Sequence, residues 1–468
     1  MSDRLPTSTH QKALEINLDS SRYGTFAEIG AGQEVVRWFF RVGGAAGTVA
    51  KSMSAYDMIV SDTIYGSSRR YVSSERLLQM LNHEFSLNVE RLQDASKRLF
   101  AFANTVKARG FGETSHYDHG WMGLRFQDEP NGPVSQVIIH VRLYDHTHVL
   151  QQEAVGILGV NLIHACFYEN NEPQQIIERL LDNLSRARVE IDMIEFSGHA
   201  FSKVDNRLTS LTLVQRGVAD IAMFDPCGNV LQPAEALYKC PILIQRGTFR
   251  PVTHSHLDML LSSNAQFKTD FPERADRAIT FMELTTKNLF DTAALDPQDF
   301  LDRADALAAL GQRVLVTSFP GSYGLIRYLR GFTDQPIALS LGGAALVDLL
   351  DARNYTSLSG GILEGLGNLF REKVRAYCYP QMLPDGSIIS THSLNAPTET
   401  QHLVAFLHQT GCVRSVEHRG TKMISTTSRD VLELIRRGDP AWEGHVPLPV
   451  ADIIKTRKLF GYRALTPQ

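Results

Sequence analysis

The sequence predicts a two-domain α/β chain whose second half holds a mostly parallel sheet, and three observations lead there. At 468 residues the chain exceeds what one ordinary hydrophobic core organises, so two domains are expected. Hydrophobic residues at 43% and charged residues at 21% match globular composition, which argues against long disordered stretches. From Pro241 onward short apolar runs alternate with helix-period segments, the pattern of strands joined by crossover helices.

In the first domain, residues 1–239, helical spacing runs over Gln33–Arg41, Ser74–Gln93, Gln151–Phe167 and Pro173–Ser185. Strand-like runs start at Arg98 (RLFAFANTV), Val134 (VSQVIIHVRLY), Val189 (VEIDMIEFSG) and Ala219 (ADIAMFD), which predicts an α/β or α+β unit. The turn-rich run CGNVLQPAEALY at Cys227 leads into a new apolar strand, PILIQRG, and places the boundary just before it. In the second domain, residues 240–468, further strands are expected at Ala278–Glu283, Arg313–Ser318, Pro336–Ser340 and Lys373–Cys378. Helices Pro297–Leu310, Ser322–Leu329 and Gly343–Asp351 separate them.

A formal net charge of -4 gives no chain-wide reason to bind nucleic acid or an anionic membrane. No stretch approaches the roughly 18 uninterrupted apolar residues of a membrane span, and the first residues lack the apolar core of a signal peptide. The five cysteines are scattered without C-x-x-C spacing, which fits neither a disulfide framework nor a structural zinc site. A cytoplasmic protein without membrane or nucleic-acid partners is expected, and a homo-oligomer is compatible with it.

Two runs in the first domain invite a functional reading. The Gly-rich AEIGAGQEVVRWFFRVGGAAGTVAKS at Ala27 resembles a phosphate loop, but Gly47 and Lys51 stand too far apart for a Walker motif, so a structural turn is expected. His116, Asp118, His119, His140, Asp145, His146 and His148 could meet at a metal, but their spacing matches no known ligand pattern, and no metal site is expected. His164, on an apolar helix face, reads as a core residue.

The strongest signal is ILIQRGTFRPVTHSHLDMLL, an apolar strand followed by a Gly turn and a helix start. Gly247 permits a tight turn, and the unpaired N–H groups of the helix start favour an anion. Thr253 and His256 share a helix face at i, i+3 spacing. An isolated T-x-x-H is usually an ordinary surface pair; the whole string is harder to dismiss. A second signal is KMISTTSRDVLELIRRGDP, with Thr427 or Ser428 as cap, an apolar face of Val431, Leu432, Leu434 and Ile435, and Gly438 and Pro440 ending the helix. Arg429 at a helix N-terminus opposes the macrodipole, which makes sense if an anion sits between them.

These two runs resemble the nucleotidyltransferase superfamily, and within it the nicotinate and nicotinamide mononucleotide adenylyltransferases. Gly247, Thr248, Phe249, Pro251, Thr253 and His256 match G-[ST]-F-x-P-x-[HT]-x-x-H; Ile424, Ser425, Thr426, Thr427 and Arg429 resemble I-S-S-T-x-x-R, with the arginine one position early. The run HVPLPVADIIKTRKLFGY is similar to the family's closing helix. The resemblance covers about half the chain and implies a Rossmann-like domain that transfers AMP from ATP, with Mg²⁺, to a mononucleotide phosphate. It implies catalytic roles for His256, Thr253 and Arg429, and nucleotide contacts from Gly247, Thr248, Phe249, Lys287, Ser425, Thr426 and Thr427. The small-molecule partners are then ATP and nicotinate or nicotinamide mononucleotide, joined into a pyridine dinucleotide. Three positions depart from the pattern: Arg250 stands for Asp or Asn, Ser255 for Gly, and Ala345 for the acid of G-[AS]-D; no aromatic for stacking on a pyridine ring is evident. Rival expectations are a non-catalytic nucleotide sensor or scaffold, and transfer to another phosphate acceptor.

Overall fold

The computed structural model describes residues 7–92, 96–110, 117–170, 172–289, 296–371, 373–382, 386–391, 400–418 and 426–463. The chain forms two compact units, Met1–Asp220 and Ile221–Gln468.

The first unit is built on six strands: β1 Arg22–Gly30, β2 Val49–Met53, β3 Arg98–Lys107, β4 Asp118–Gln127, β5 Val134–Leu143 and β6 Val189–Gly198. They lie in the order β2-β1-β3-β4-β5-β6, with β1 parallel to β2 and β3 and all later neighbours antiparallel. Helices α1 Thr9–Leu18, α2 Val35–Val42, α3 Met58–Tyr65, α4 Ser74–Arg91, α5 His148–Tyr168, α6 Pro173–Leu180 and α7 Asn206–Gln215 complete the unit.

Strand parity assigns its faces, because successive side chains alternate across a sheet. Gly123 of β4 lies beneath Leu81 of α4, and Arg125, two residues on, meets Phe85 of the same helix. Phe126 points the other way, onto Phe167 of α5, where Phe26, Phe39, Phe100 and Phe102 form an aromatic core. The Gly-rich run spans the end of β1, all of α2 and most of β2, and its first glycines form the turn between β1 and α2. Glu28 accepts the Val35 and Val36 N–H groups at 3.1 and 3.3 Å, so a carboxyl group of the chain itself, its pKa pushed up to about 8 by burial, occupies that helix start.

The second unit begins with a hairpin, β7 Ile221–Phe224 and β8 Val230–Leu231, and the short α8 Pro233–Ala236. β7 pairs antiparallel with β11, so the hairpin extends this unit's sheet; the division therefore falls at Asp220/Ile221 rather than at the 239/240 position read from the turn signals. There follow β9 Ile242–Arg246, α9 His254–Asp270, β10 Ile279–Thr285, α10 Thr286–Leu289, α11 Pro297–Ala308, β11 Arg313–Thr317 and α12 Ser322–Leu329. The chain continues through β12 Ile337–Gly342, α13 Gly343–Leu349, α14 Gly361–Leu369, β13 Val374–Tyr379, the small pair β14 Gln381–Met382 and β15 Ile388–Ile389, α15 Gln401–Gln409 and β16 Val413–Ser415. It closes with α16 Ser428–Arg437 and α17 Leu448–Arg457.

The sheet order is β16-β13-β12-β9-β10-β11-β7-β8, and the six strands from β16 to β11 are all parallel. Counted from β9, that is the 3-2-1-4-5-6 order of a Rossmann-like fold, with the chain reversing its direction of travel between β9 and β12. In open parallel sheets the crevice beyond the C-terminal ends of the strands at such a switch point is where ligands bind. In this unit that crevice lies beyond Arg246 of β9 and the end of β12 at Leu341 and Gly342.

Candidate functional site

At the C-terminal edge of β9 the backbone turns through Gly247, whose N–H donates to the Glu283 carbonyl at 3.1 Å. A Cβ at Gly247 would lie 2.7 Å from the Phe249 ring, so the ring's seat requires glycine there. Phe249 is fully buried, with φ of 47°, and meets the His256 ring edge-on at 5.0 Å between centroids. It wedges His256 in place, and its ring is too enclosed to stack on a ligand. Thr248 is exposed, and its carbonyl accepts from Arg303 at 3.2 Å.

Thr253 caps α9 and is buried, and it meets His256 directly. Its N–H donates to His256 Nδ1 at 3.1 Å, and its Oγ1 lies 3.0 Å from the same nitrogen. A backbone N–H can only donate, so Nδ1 must carry the lone pair and a neutral His256 holds its proton on Nε2. Burial pushes the imidazole down to about 4, which keeps it neutral at physiological pH. Gln245, buried in β9, donates to the His256 carbonyl at 3.0 Å and fixes the first turn of α9 against the strand. The arrangement yields an oriented, uncharged Nε2–H donor, with Thr253 as its positioning residue.

The second motif reaches the first. Ser428 Oγ donates to the Pro251 carbonyl at 2.9 Å, joining the start of α16 to the turn between β9 and α9. Thr427 caps α16, and its N–H and hydroxyl both donate to Asp430 Oδ2, at 2.7 and 2.8 Å. The Asp430 carboxylate therefore holds groups that the resemblance assigns to phosphate. Arg429 is exposed and Thr426 half-buried; neither makes a side-chain hydrogen bond among the described residues. Ser425 and Ile424 lie outside the described residues. Arg250, standing for the family's Asp or Asn, pairs with Asp299 of α11.

Beside the turn a cavity of about 190 Å³ opens at the C-terminal ends of β9 to β12. Arg246 and Lys287 bring positive charge to its wall, and Tyr323, Tyr355, Ala345 and Asp348 line it too. Arg246 is held by two bonds to the buried Glu283, at 2.8 and 2.7 Å, and Thr317 donates to the same carboxylate at 2.7 Å. Asp348 stands one helical turn on from Ala345 and lines the same cavity. The rings of Tyr323 and Tyr355 lie 5.6 Å apart and supply the aromatic wall that motif spacing alone did not reveal. Arg246 left a readable trace, a charge closing the apolar strand ILIQR, matched by Glu283 in the FMELT of β10. Tyr323, Tyr355 and Asp348 left none, and Ser428 was legible only as a candidate helix cap.

The histidines of the first unit separate into other roles. Asp118 accepts from Gln151 at 2.9 Å and faces Arg109 at 3.7 Å; Asp145 takes Arg188, and His148 sits 3.0 Å from the Arg109 carbonyl. His140 joins Asp192 at 2.5 Å and His119 at 3.0 Å, and His164 joins Glu15 at 3.0 Å. Among the described residues no group of three or more His, Cys, Asp or Glu could hold a metal; His116 lies outside them. Burial, then His140 and the cations Lys107, Arg70 and Arg142, push His119 down to about 3.

Two histidines held neutral give stability a sign. Folded His256 and His119 stay unprotonated well below 6.5, the pKa of their unfolded forms. As pH falls below about 6.5 the unfolded chain takes up protons that the folded chain does not, so stability decreases and levels off only near 3 to 4. Nitrogen-detected NMR at pH 5 is expected to show both rings neutral, His256 as the Nε2–H tautomer; an imidazolium signal at position 256 at that pH would refute the assignment.

No protein-family model matches the chain, and no curated protein does. Among solved structures it is similar to the competence/damage-inducible protein CihA from Agrobacterium tumefaciens, at 18% identity over 35% of this chain and 98% of that one, with a TM-score of 0.27. It is also similar to the competence damage-inducible protein A from Klebsiella pneumoniae, at 14% identity over 35% and 96%, with a TM-score of 0.26. A Vibrio parahaemolyticus protein provisionally described as a nicotinate-nucleotide adenylyltransferase matches at 12% identity over 47% of this chain and 95% of that one, with a TM-score of 0.22. At these values the likenesses add nothing to the topology, which defines the class on its own: an α/β protein of two units, the second Rossmann-like. No helix among the described residues is long and apolar enough to cross a membrane.

Proposed function

We propose that the second unit is a nucleotidyltransferase that passes AMP from ATP to the phosphate of a pyridine mononucleotide, nicotinate or nicotinamide, releasing pyrophosphate. The bond from Ser428 to Pro251 carries this reading, because it brings the two motif-bearing stretches together at the C-terminal edge of the parallel sheet. An acceptor phosphate oxygen attacks the α-phosphorus of ATP; the bond from that phosphorus to the bridging oxygen breaks, and its electron pair leaves with pyrophosphate. Such transfer needs alignment and charge stabilisation rather than an acid-base pair. His256 donates Nε2–H to a phosphoryl oxygen, Thr253 holds the ring, and Arg429 balances the triphosphate. Lys287 and Arg246 draw the acceptor into the cavity. Mg²⁺ enters with ATP as part of the substrate and is carried by the phosphates.

A second reading, a non-catalytic nucleotide sensor, is favoured by Asp430, whose carboxylate already occupies Thr427 at the start of α16. Pyrophosphate release from the full chain with Mg-ATP separates the two, using nicotinate and nicotinamide mononucleotides, phosphopantetheine and glycerol phosphate as acceptors. Release that depends on a pyridine mononucleotide is expected. Release with another acceptor alone would change the substrate; ATP binding without turnover would establish the sensor; neither binding nor turnover would overturn both.

A further inference from the structure

The polar groups around the aromatic end of the cavity are unequal in kind. Tyr355 spends its hydroxyl on the Leu349 carbonyl at 2.6 Å, so it offers the cavity its ring. Asn354 Nδ2 donates twice to Asp348, to the backbone carbonyl at 2.7 Å and to Oδ1 at 3.1 Å. A carbonyl can only accept, which fixes the amide orientation and turns Asn354 Oδ1 away from that contact. Both Asp348 and Asn354 are exposed and line the cavity. Their remaining capacity, Asp348 Oδ2 and Asn354 Oδ1, is for accepting.

The charges agree with this. Arg246 is engaged by its two bonds to Glu283, and Lys287 and Asp348 bring opposite charges to the same cavity wall. The cavity's 190 Å³ is small beside the roughly 300–1,000 Å³ of clefts that enclose drug-sized ligands, so it takes the base end of a nucleotide rather than the whole molecule.

We infer that the Asp348 and Asn354 pair selects a cationic pyridinium ring bearing a carboxamide over the same ring bearing a carboxylate, so that nicotinamide mononucleotide is the preferred acceptor. The inference rests on the function proposed above. A carboxamide NH₂ donates to Asp348 Oδ2 or Asn354 Oδ1, while the ring lies against Tyr323 and its charge faces an aromatic wall and a carboxylate. Placed against this pair, a nicotinate carboxylate would bring acceptor against acceptor and like charge against like.

Calorimetry on the full chain tests it, with nicotinamide mononucleotide, nicotinate mononucleotide and ribose 5-phosphate as probes. The amide is expected to bind about 10–100-fold more tightly than the acid, the range of one or two charge-assisted hydrogen bonds. Asp348→Asn, on an exposed helix face, is expected to bring the two within about threefold by removing the charge and offering a donor. Equal binding of the two mononucleotides by the native chain, or a ratio unmoved by D348N, would overturn the selection while leaving the transferase reading intact. Binding of none of the three probes would overturn that reading, and the selection with it.

Discussion

Replacing His256 by alanine is expected to lower turnover about 10²–10³-fold, the cost of removing one preorganised donor from a phosphoryl-like centre. The loss should fall on kcat more than on KM, because a neutral donor gains most as charge develops on the transferring oxygens. Stability should fall by only about 0.5–2 kcal/mol, since the imidazole also takes the Thr253 N–H at the start of α9 in the manner of a capping side chain. Glutamine separates the two effects. At the same helical position its Oε1 can accept from Thr253 while its Nε2 donates toward the ligand, as Gln does in a capping box. His256→Gln should therefore recover the lost stability and part of kcat, whereas His256→Ala recovers neither. Pyrophosphate release and thermal unfolding measured together decide it, and an alanine variant within threefold of native turnover would exclude His256 from the chemistry.

The fold was legible wherever local pattern and tertiary demand agreed. β3, β5, β6 and all five core strands from β9 to β13 are apolar runs bounded by turn residues, and α12 begins and ends where its spacing says. β4 was missed because DHGWMGLRFQ carries two glycines and two charges; Gly123 and Gly120 exist there to admit Leu81 and Val106, a packing reason visible only with both neighbours in place. The end of β1 and most of β2 were hidden inside a run that reads as a glycine loop, and β7 and β8 looked like the end of one domain when they pair into the next. The site divided in the same way. The β9 turn and its histidine form a contiguous motif and could be read directly. The cavity wall draws Lys287, Tyr323, Asp348 and Tyr355 from loops and helices after three different strands, and nothing in linear spacing records that convergence.

Arg246→Ala should be the most destabilising single change at the site. It strips the fully buried Glu283 of two charge-assisted hydrogen bonds and leaves the Thr317 hydroxyl as its remaining side-chain donor among the described residues. Breaking one side of a buried pair costs about 3–5 kcal/mol, because the surviving charge stays desolvated without its partner. That cost is structural and would obscure any direct role of Arg246 toward a ligand, so the informative variant is the double replacement Arg246→Met with Glu283→Leu. Exchanging a whole buried pair for apolar side chains of similar volume is often neutral or stabilising, and the double variant is expected to regain most of what the single one loses. If the guanidinium also helps draw in an anionic acceptor, mononucleotide binding should stay weak in the restored protein. Urea unfolding and calorimetry then give two independent answers. A single variant that costs less than about 1 kcal/mol would mean the pair does not hold the ends of β9 and β10 together, and a stable double variant with native affinity would assign Arg246 to the fold alone.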